Sequence, residues 1–390
     1  PGHEAVRGTV AQVVDKEINP DGGQWEEAGI FPAHKVFKKL GDLGLLGISR
    51  PIEFGGMGLD YSYQTVFAEE LGRIRSGGVG MALGVQTDMA TPALARFGSD
   101  YLKDNFLKPA IAGDHVAAIA VSEPGAGSDV AGIKTTARRD GGDYVISGSK
   151  QWITNGTQAD WACTLVNTGD ADPNSRHGNK SLIVVPLDAQ GVDRQTKLDK
   201  LGQRSSDTAI IFFDEVRGPA NHLIGEEGKG WTYANYLLGH ERTSYAHVAG
   251  KRKQLANTRL VARERGLFED PAFVEKLSSL EARLDALELT VLRTLSSVAE
   301  GGAPGNESSI LKIIATELAQ DITELGMEAY GPYIQPAFPD SVAPAWTGNT
   351  ALPSGAAPAV ASYLGARAQS IYGGSNEIQK NILAKMVLGL

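Results

Sequence analysis

The chain has 390 residues, 42% hydrophobic and 21% charged, enough for about two to three domains with sizeable cores. Lys and Arg total 37 against 46 Asp and Glu, a formal net charge of −9, which argues against nucleic acid or an anionic membrane surface as the main partner. A single cysteine, Cys163, excludes an intrachain disulfide and a cysteine-based zinc cage and suits a reducing, cytoplasmic setting. No apolar run approaches the roughly 20 residues of a membrane span, and the N-terminus lacks a signal-peptide apolar region. Because the chain opens at Pro1 rather than methionine, a short leading segment is expected ahead of it.

Residues 1 to about 115 have helical periodicity. Val6, Val10, Val13 and Val14 recur at helical spacing, as do Phe31, Val36, Leu40 and Leu43. Glycine-rich breaks such as EFGGMGLD separate these helices. From 116 the pattern changes to short β-rich runs: VAAIAVSE, KTTARRDGGDYVISG, ACTLVNT, KSLIVVPL and AIIFFDEV. The DGGD between two runs predicts a hairpin. After Gly230 the helical period returns. Phe273, Leu277, Leu280, Leu284, Leu287, Val291, Leu295 and Val298 form one stripe, and Ile310, Ile314, Leu318, Ile322 and Leu325 a second. Such stripes predict a bundle, shared with other subunits. The expectation is an α+β fold: an N-terminal helical domain over 1–115, a small middle β domain over 116–228 and a C-terminal helical bundle over 229–390. A Pro-, Ala- and Gly-rich connection is expected from Tyr333 to Tyr363.

AVSEPGAGSDVAG, residues 120–132, packs Gly125, Gly127 and Gly132 around Ser122, Glu123, Pro124, Ser128 and Asp129. It does not match the dinucleotide-binding G-x-G-x-x-G pattern, and GEEGKGW at 225–231 lacks the Lys-Ser/Thr of a phosphate loop. The loop follows a predicted strand at the lip of the β domain. There, backbone N–H groups between glycines can approach a planar or phosphorylated ligand, with Ser122 and Ser128 adding hydroxyls. A plain β-turn loop is the competing reading. KQWITNG at 150–156 sets Trp152 and Thr154 on one face of a strand. An aromatic beside a hydroxyl suits a flat heteroaromatic cofactor, although a half-buried Trp is also common packing.

These segments, with LGQRSSDTA at 201–209 and SIYGGSNEIQKNIL at 370–383, in this order resemble the acyl-CoA dehydrogenase family along nearly the whole chain. The resemblance implies a middle β-barrel domain and a C-terminal four-helix bundle. It also implies FAD as cofactor and a dimeric or tetrameric assembly, homomeric or heteromeric. The implied activity is oxidation of an acyl-CoA thioester to the 2,3-enoyl thioester, with electrons passed to an electron-transfer flavoprotein. It further implies that Ile119 through Ser128, including Val121, Ser122 and Gly127, line the flavin and its pyrophosphate. Trp152, Ile153 and Thr154 would cover the other side of the ring. Ser375 and Glu377 match positions that contact the cofactor, and Ser128 and Arg242 match positions that contact the CoA thioester.

The chemistry needs a carboxylate of raised pKa to take the α-proton while hydride leaves the β-carbon. Many family members carry this Glu directly after the Tyr of the C-terminal motif; here that position is Gly373. A subset resembling isovaleryl-CoA dehydrogenase carries it on the first bundle helix, at the position of Glu241. Ala234, Leu238, Glu241, Tyr245 and Val248 share helical spacing, so Glu241 interrupts an apolar stripe and would be desolvated. A structural carboxylate, bonded to a buried hydroxyl or to an arginine, is the alternative. Glu377 is the nearest rival base, and the Gly373 N–H could polarise the thioester carbonyl. The small residue at 373 also hints at a branched or bulky acyl group.

Two segments depart from the family pattern. Homotetrameric relatives supply Arg-x-x-Phe-Gly and a later Gln to a neighbour's FAD; here only Arg265 and Phe268 match. The usual Gln-x-x-Gly-Gly segment has Glu328, Gly331 and Pro332 instead. The acidic Glu328 near phosphates is electrostatically unfavourable. These changes resemble subunits of heteromeric acyl-CoA dehydrogenases, so a half-site or non-catalytic partner subunit is an alternative, as is a flavin oxidase or monooxygenase on the same fold.

Overall fold

Apolar periodicity places the first core. In the computed structural model, which describes residues 2–170, 175, 177–236, 246–299, 305, 307–334 and 356–390, the helix Gly2–Val13 buries Val10 and Val13. Ala33–Asp42 buries Val36, Phe37 and Leu40. Phe31 precedes that helix and is fully buried, whereas Leu43, expected on the same stripe, follows it and is exposed. The helices Tyr61–Leu71 and Gly77–Gly84 complete this layer. A π-helical stretch, Val85–Ala90, leads out of the second of these. Its Gln86 is fully buried. The Gln86 amide donates to the carbonyls of Ala110 and His115 and accepts from the N–H of Ala117, which fixes where the first strand starts.

That strand, β1 (Ala117–Ala120), opens a seven-stranded sheet. It continues with β2 (Thr136–Asp140), β3 (Asp143–Thr154), β4 (Trp161–Asn167), β5 (Lys180–Pro186), β6 (Val192–Lys197) and β7 (Thr208–Pro219). The order is β1-β4-β2-β3-β7-β6, with β5 paired to the other side of β4. The DGGD hairpin forms as expected, pairing Asp140 with Asp143. β4 and β5 are buried on both faces and so are almost uninterrupted apolar runs. Ala162, Val166, Ile183 and Val185 join the N-terminal helices, while Trp161, Cys163, Leu165, Leu182 and Val184 pack under residues 90–111. β6 escaped the apolar pattern because its sequence, VDRQTK, is a largely exposed, charged strand at the sheet's edge.

The C-terminal helices are Val248–Glu264, Pro271–Ala299, Glu307–Tyr330, Ala356–Ala366 and Asn376–Met386. The expected stripe of Phe273, Leu277, Leu280, Leu284, Leu287 and Val291 is buried within the chain's own bundle, with Leu295 partly so; Val298 lies outside the described side chains. In the second stripe Leu318, Ile322 and Leu325 are buried, but Ile310 is exposed. The apolar surface left open is different: Leu260, Leu289 and Leu292 are 56%, 64% and 55% exposed. The Pro-rich connection is shorter than its composition suggested, since its end is the Ala356–Ala366 helix; residues 335–355 lie outside the described residues.

Candidate functional site

β1 runs into the glycine loop. Glu123 and Ala126 exchange backbone hydrogen bonds of 2.9 and 3.1 Å, closing a tight turn around Pro124 and Gly125. Gly127 and Ser128 are exposed; Ile119, Val121 and Ser122 are half-buried. A Cβ built on Gly125 or Gly127 would meet no atom within 4 Å. No neighbouring residue of the chain therefore requires glycine there. The open side suits close approach of a ligand to the backbone, as the pyrophosphate of a flavin dinucleotide would require there.

Glu123, given no role of its own in the sequence-based site, organises the loop. Its buried carboxylate accepts from the N–H of Lys134 (2.6 Å) and of Thr135 (3.0 Å), from the Thr135 hydroxyl (2.6 Å) and from Lys150 Nζ (2.9 Å). Lys150 is fully buried and also donates to the Val121 carbonyl at 3.0 Å. Gln151 N–H donates to the Ser122 carbonyl at 2.9 Å. Burial raises the Glu123 carboxyl, yet Lys150, Thr135 and Lys134 together hold it below its ordinary 4.5. Burial lowers the Lys150 ammonium to about 8 despite Glu123. Both are charged at neutral pH. A lysine and a glutamate 27 positions apart carry no local signal; only the sheet brings them together.

The second wall is a bulge rather than a regular strand. Between Lys150–Ile211 and Ile153–Ala209 the β3–β7 register slips, giving β3 one residue more than its partner. Trp152 takes up the slip with a left-handed φ of 66° and points outward, 61% exposed. Thr154 is half-buried, and Ile153 between them is buried in the core. Ile153 could therefore offer a ligand only its backbone. Asn155, also left-handed, donates from its buried amide to the carbonyls of Ala82 and Ala117, holding the end of β3 against β1.

The C-terminal motif forms a turn through Gly373 and Gly374, with φ of 65° and 81°. Ser375 then caps Asn376–Met386 by accepting from Ile378 N–H at 3.3 Å. The turn is anchored on the Glu307–Tyr330 helix: buried Lys312 donates to Gln369 O (3.0 Å) and Asn376 Oδ1 (3.1 Å), and the Thr316 hydroxyl donates to Asn376 Oδ1 (3.1 Å). Glu377 is exposed, and hydrogen bonds from its own N–H and from Ser375 keep its carboxyl below the ordinary value. That environment suits polar contact and makes a weak base. Glu241 and Arg242 lie outside the described residues. On the stripe assigned to Glu241, Ala234 and Val248 are buried.

The remaining motif, 201–209, joins domains. Gly202 abuts Ala361 and Gly365 so closely that a Cβ would lie 2.7 Å from the Ala361 carbonyl oxygen. Buried Asp207 accepts from Thr157 and Gln158. Buried Glu26 accepts from Ser76 Oγ (2.6 Å) and Arg204 N–H (2.8 Å). In the altered segments, Lys276 Nζ binds both oxygens of Glu328, at 2.8 and 2.9 Å. This pairing offsets the charge that looked unfavourable in the sequence. Arg265 donates to the terminal carbonyls of its own bundle, Ala329 O at 2.9 Å and Tyr330 O.

Domain models of the acyl-CoA dehydrogenase family match three consecutive stretches: the N-terminal domain at residues 1–114, the middle domain at 118–216 and the C-terminal domain at 228–388. The chain is 31% identical over 393 residues to the mitochondrial long-chain specific acyl-CoA dehydrogenase of Mus musculus, covering 99% of this chain and 86% of that protein. It is also 31% identical over 395 residues to the mitochondrial short-chain specific enzyme of Bos taurus, covering 99% and 90%. Among solved structures, acyl-CoA dehydrogenase from Geobacillus kaustophilus superposes with a TM-score of 0.88 at 30% identity, covering 100% of this chain and 98% of that one.

Proposed function

The chain belongs to the acyl-CoA dehydrogenase family, an FAD-binding oxidoreductase family, and we infer that it oxidises an acyl-CoA thioester to the 2,3-enoyl thioester with Glu241 as base. The observation that carries this reading is the loop 121–128, open on its glycine side and tied to the bulge that presents Trp152. In this reading Ser122, Gly127 and Ser128 hold the cofactor's ring and phosphates, and Trp152 and Thr154 cover the ring. Bound FAD supplies the acceptor for the β-hydride. Glu241 takes the α-proton from an apolar surrounding that keeps its carboxylate basic. The Gly373 N–H donates to the thioester carbonyl and favours the charge that develops there. Ser128 and Arg242 contact the CoA thioester, and Ser375 and Glu377 the cofactor. Electrons then leave to an electron-transfer flavoprotein. A cytoplasmic location is part of this reading; no described helix is long and apolar enough to cross a membrane.

The test is the absorbance spectrum of the purified protein before and after anaerobic mixing with a panel of acyl-CoAs. A flavin spectrum bleached by one of them supports the reading. A flavin that none bleaches, or no flavin after reconstitution, contradicts it. The use of Arg265 to cap its own bundle helix favours a second reading, in which this chain forms half of a heteromeric site. Full FAD occupancy in the chain purified alone would count against that one.

A further inference from the structure

Both feet of the glycine loop meet at one carboxylate. Glu123 begins the exposed span and Lys134–Thr135 end it, and Glu123 accepts from both of those residues. From the other side, Lys150 reaches through the sheet and donates to Glu123 and to the carbonyl of Val121. One residue later Gln151 N–H holds the Ser122 carbonyl, and the next residue is the left-handed Trp152. The two walls of the cradle are therefore cross-linked at their base by a buried ammonium and, beside it, by one backbone hydrogen bond. A buried ion pair adds little net stability over an apolar pair of similar volume. What it adds here is direction, since Lys150 has two fixed acceptors on the opposite wall.

We propose that Lys150, acting with Glu123, is a positioning residue that sets the separation of the loop 121–128 from the bulge at 152–154, and so the fit of the flavin between them. This rests on the reading that the cradle holds FAD.

Lys150→Met, Glu123→Gln and the neutral pair Lys150→Met with Glu123→Gln test it. Each is to be measured as apoprotein for melting temperature and FAD affinity, and as holoprotein for visible spectrum and flavin midpoint potential. The single variants should bind FAD at least about 10-fold more weakly, the scale of one lost charge-assisted hydrogen bond, with a shifted spectrum and potential. The neutral pair removes the uncompensated charge but still lacks the donor to the Val121 carbonyl, so it should regain melting temperature relative to the single variants while its FAD affinity and potential stay shifted. A neutral pair with affinity within about 2-fold of wild type and an unchanged spectrum and potential would overturn the proposal. Should that pair fail to fold, Glu123→Asp keeps the charge and shortens its reach. Weakened FAD binding at an unchanged melting temperature then supports positioning, and unchanged binding overturns it. A wild type that binds no FAD would instead remove the cradle reading itself and the proposal with it.

Discussion

Trp152→Gly separates the two roles that the indole could have. The side chain is 61% exposed at a left-handed φ of 66°. Of the roughly 200–250 Å² of an indole, about 80–100 Å² is then buried in the fold and contributes about 2 kcal/mol at ~25 cal/mol/Å². Glycine relieves about 1 kcal/mol of left-handed strain and costs about 0.5–1 kcal/mol in unfolded-chain entropy. The expected net loss of stability is about 1.5–2 kcal/mol. For the cofactor, one face of the exposed ring offers about 70 Å², or about 1.7 kcal/mol, plus roughly 0.5–1.5 kcal/mol of stacking. FAD affinity should therefore fall by about 40- to 200-fold. Titration of folded apoprotein with FAD, followed by quenching of flavin fluorescence, reads this directly, and urea unfolding reads the stability. An FAD affinity within about 3-fold of wild type, alongside the expected stability loss, would leave Trp152 as packing alone.

Glu241→Gln should keep FAD binding while anaerobic flavin reduction by acyl-CoA, normalised to bound FAD, falls roughly 10²-fold or more; a preserved rate moves the base elsewhere. Adding Gly373→Glu to that variant should restore activity only in part, because the left-handed φ of 65° costs an L-residue roughly 1–2 kcal/mol. Full rescue at an unchanged melting temperature would contradict the turn geometry. The lowered Glu123 carboxyl contributes stability that is complete above its ordinary 4.5 and is lost as pH falls through the folded-state value. Glu123→Gln should accordingly flatten the acid limb of FAD retention, and superimposable limbs would argue against the anchor. Leu289→Lys with Leu292→Lys, on side chains 64% and 55% exposed, should shift the assembly toward monomer without lowering protomer stability. Sedimentation that shows an unchanged assembly would place the interface elsewhere.

Elements with one dominant period were legible in the sequence. The stripe from Phe273 to Val291, the apolar β4 and β5, and the DGGD turn each carry their partners' constraint in local spacing. The glycine loop was legible as a candidate because Gly125 and Gly127 are unusual for a strand end. Its anchor was not, since Glu123 and Lys150 meet only across strands and each resembles an ordinary surface charge. The bulge at Trp152 was hidden for a related reason. A tryptophan at left-handed φ defies backbone preference, and the alternation of Lys150, Ile153 and Thr154 around it shows a shift of register only once β7 is paired. β6 was missed because an edge strand that faces water has no apolar face to betray it.

The joint at 200–209 bears on how the chain acquires its shape. Its contacts reach back 178 positions to Glu26 and 129 to Ser76, and forward to Ala361 and Gly365. Pairings so distant in sequence carry a large loop-closure cost and form late. On synthesis, the N-terminal helices and the sheet can close on each other while Gly202 still awaits a helix more than 150 residues downstream. Until that helix emerges, a nascent chain exposes the backbone of this segment. Once it docks, the three domains share a clasp that none can leave without breaking contacts of the other two. Late closure and the dependence of each domain on the other two follow from that same arrangement.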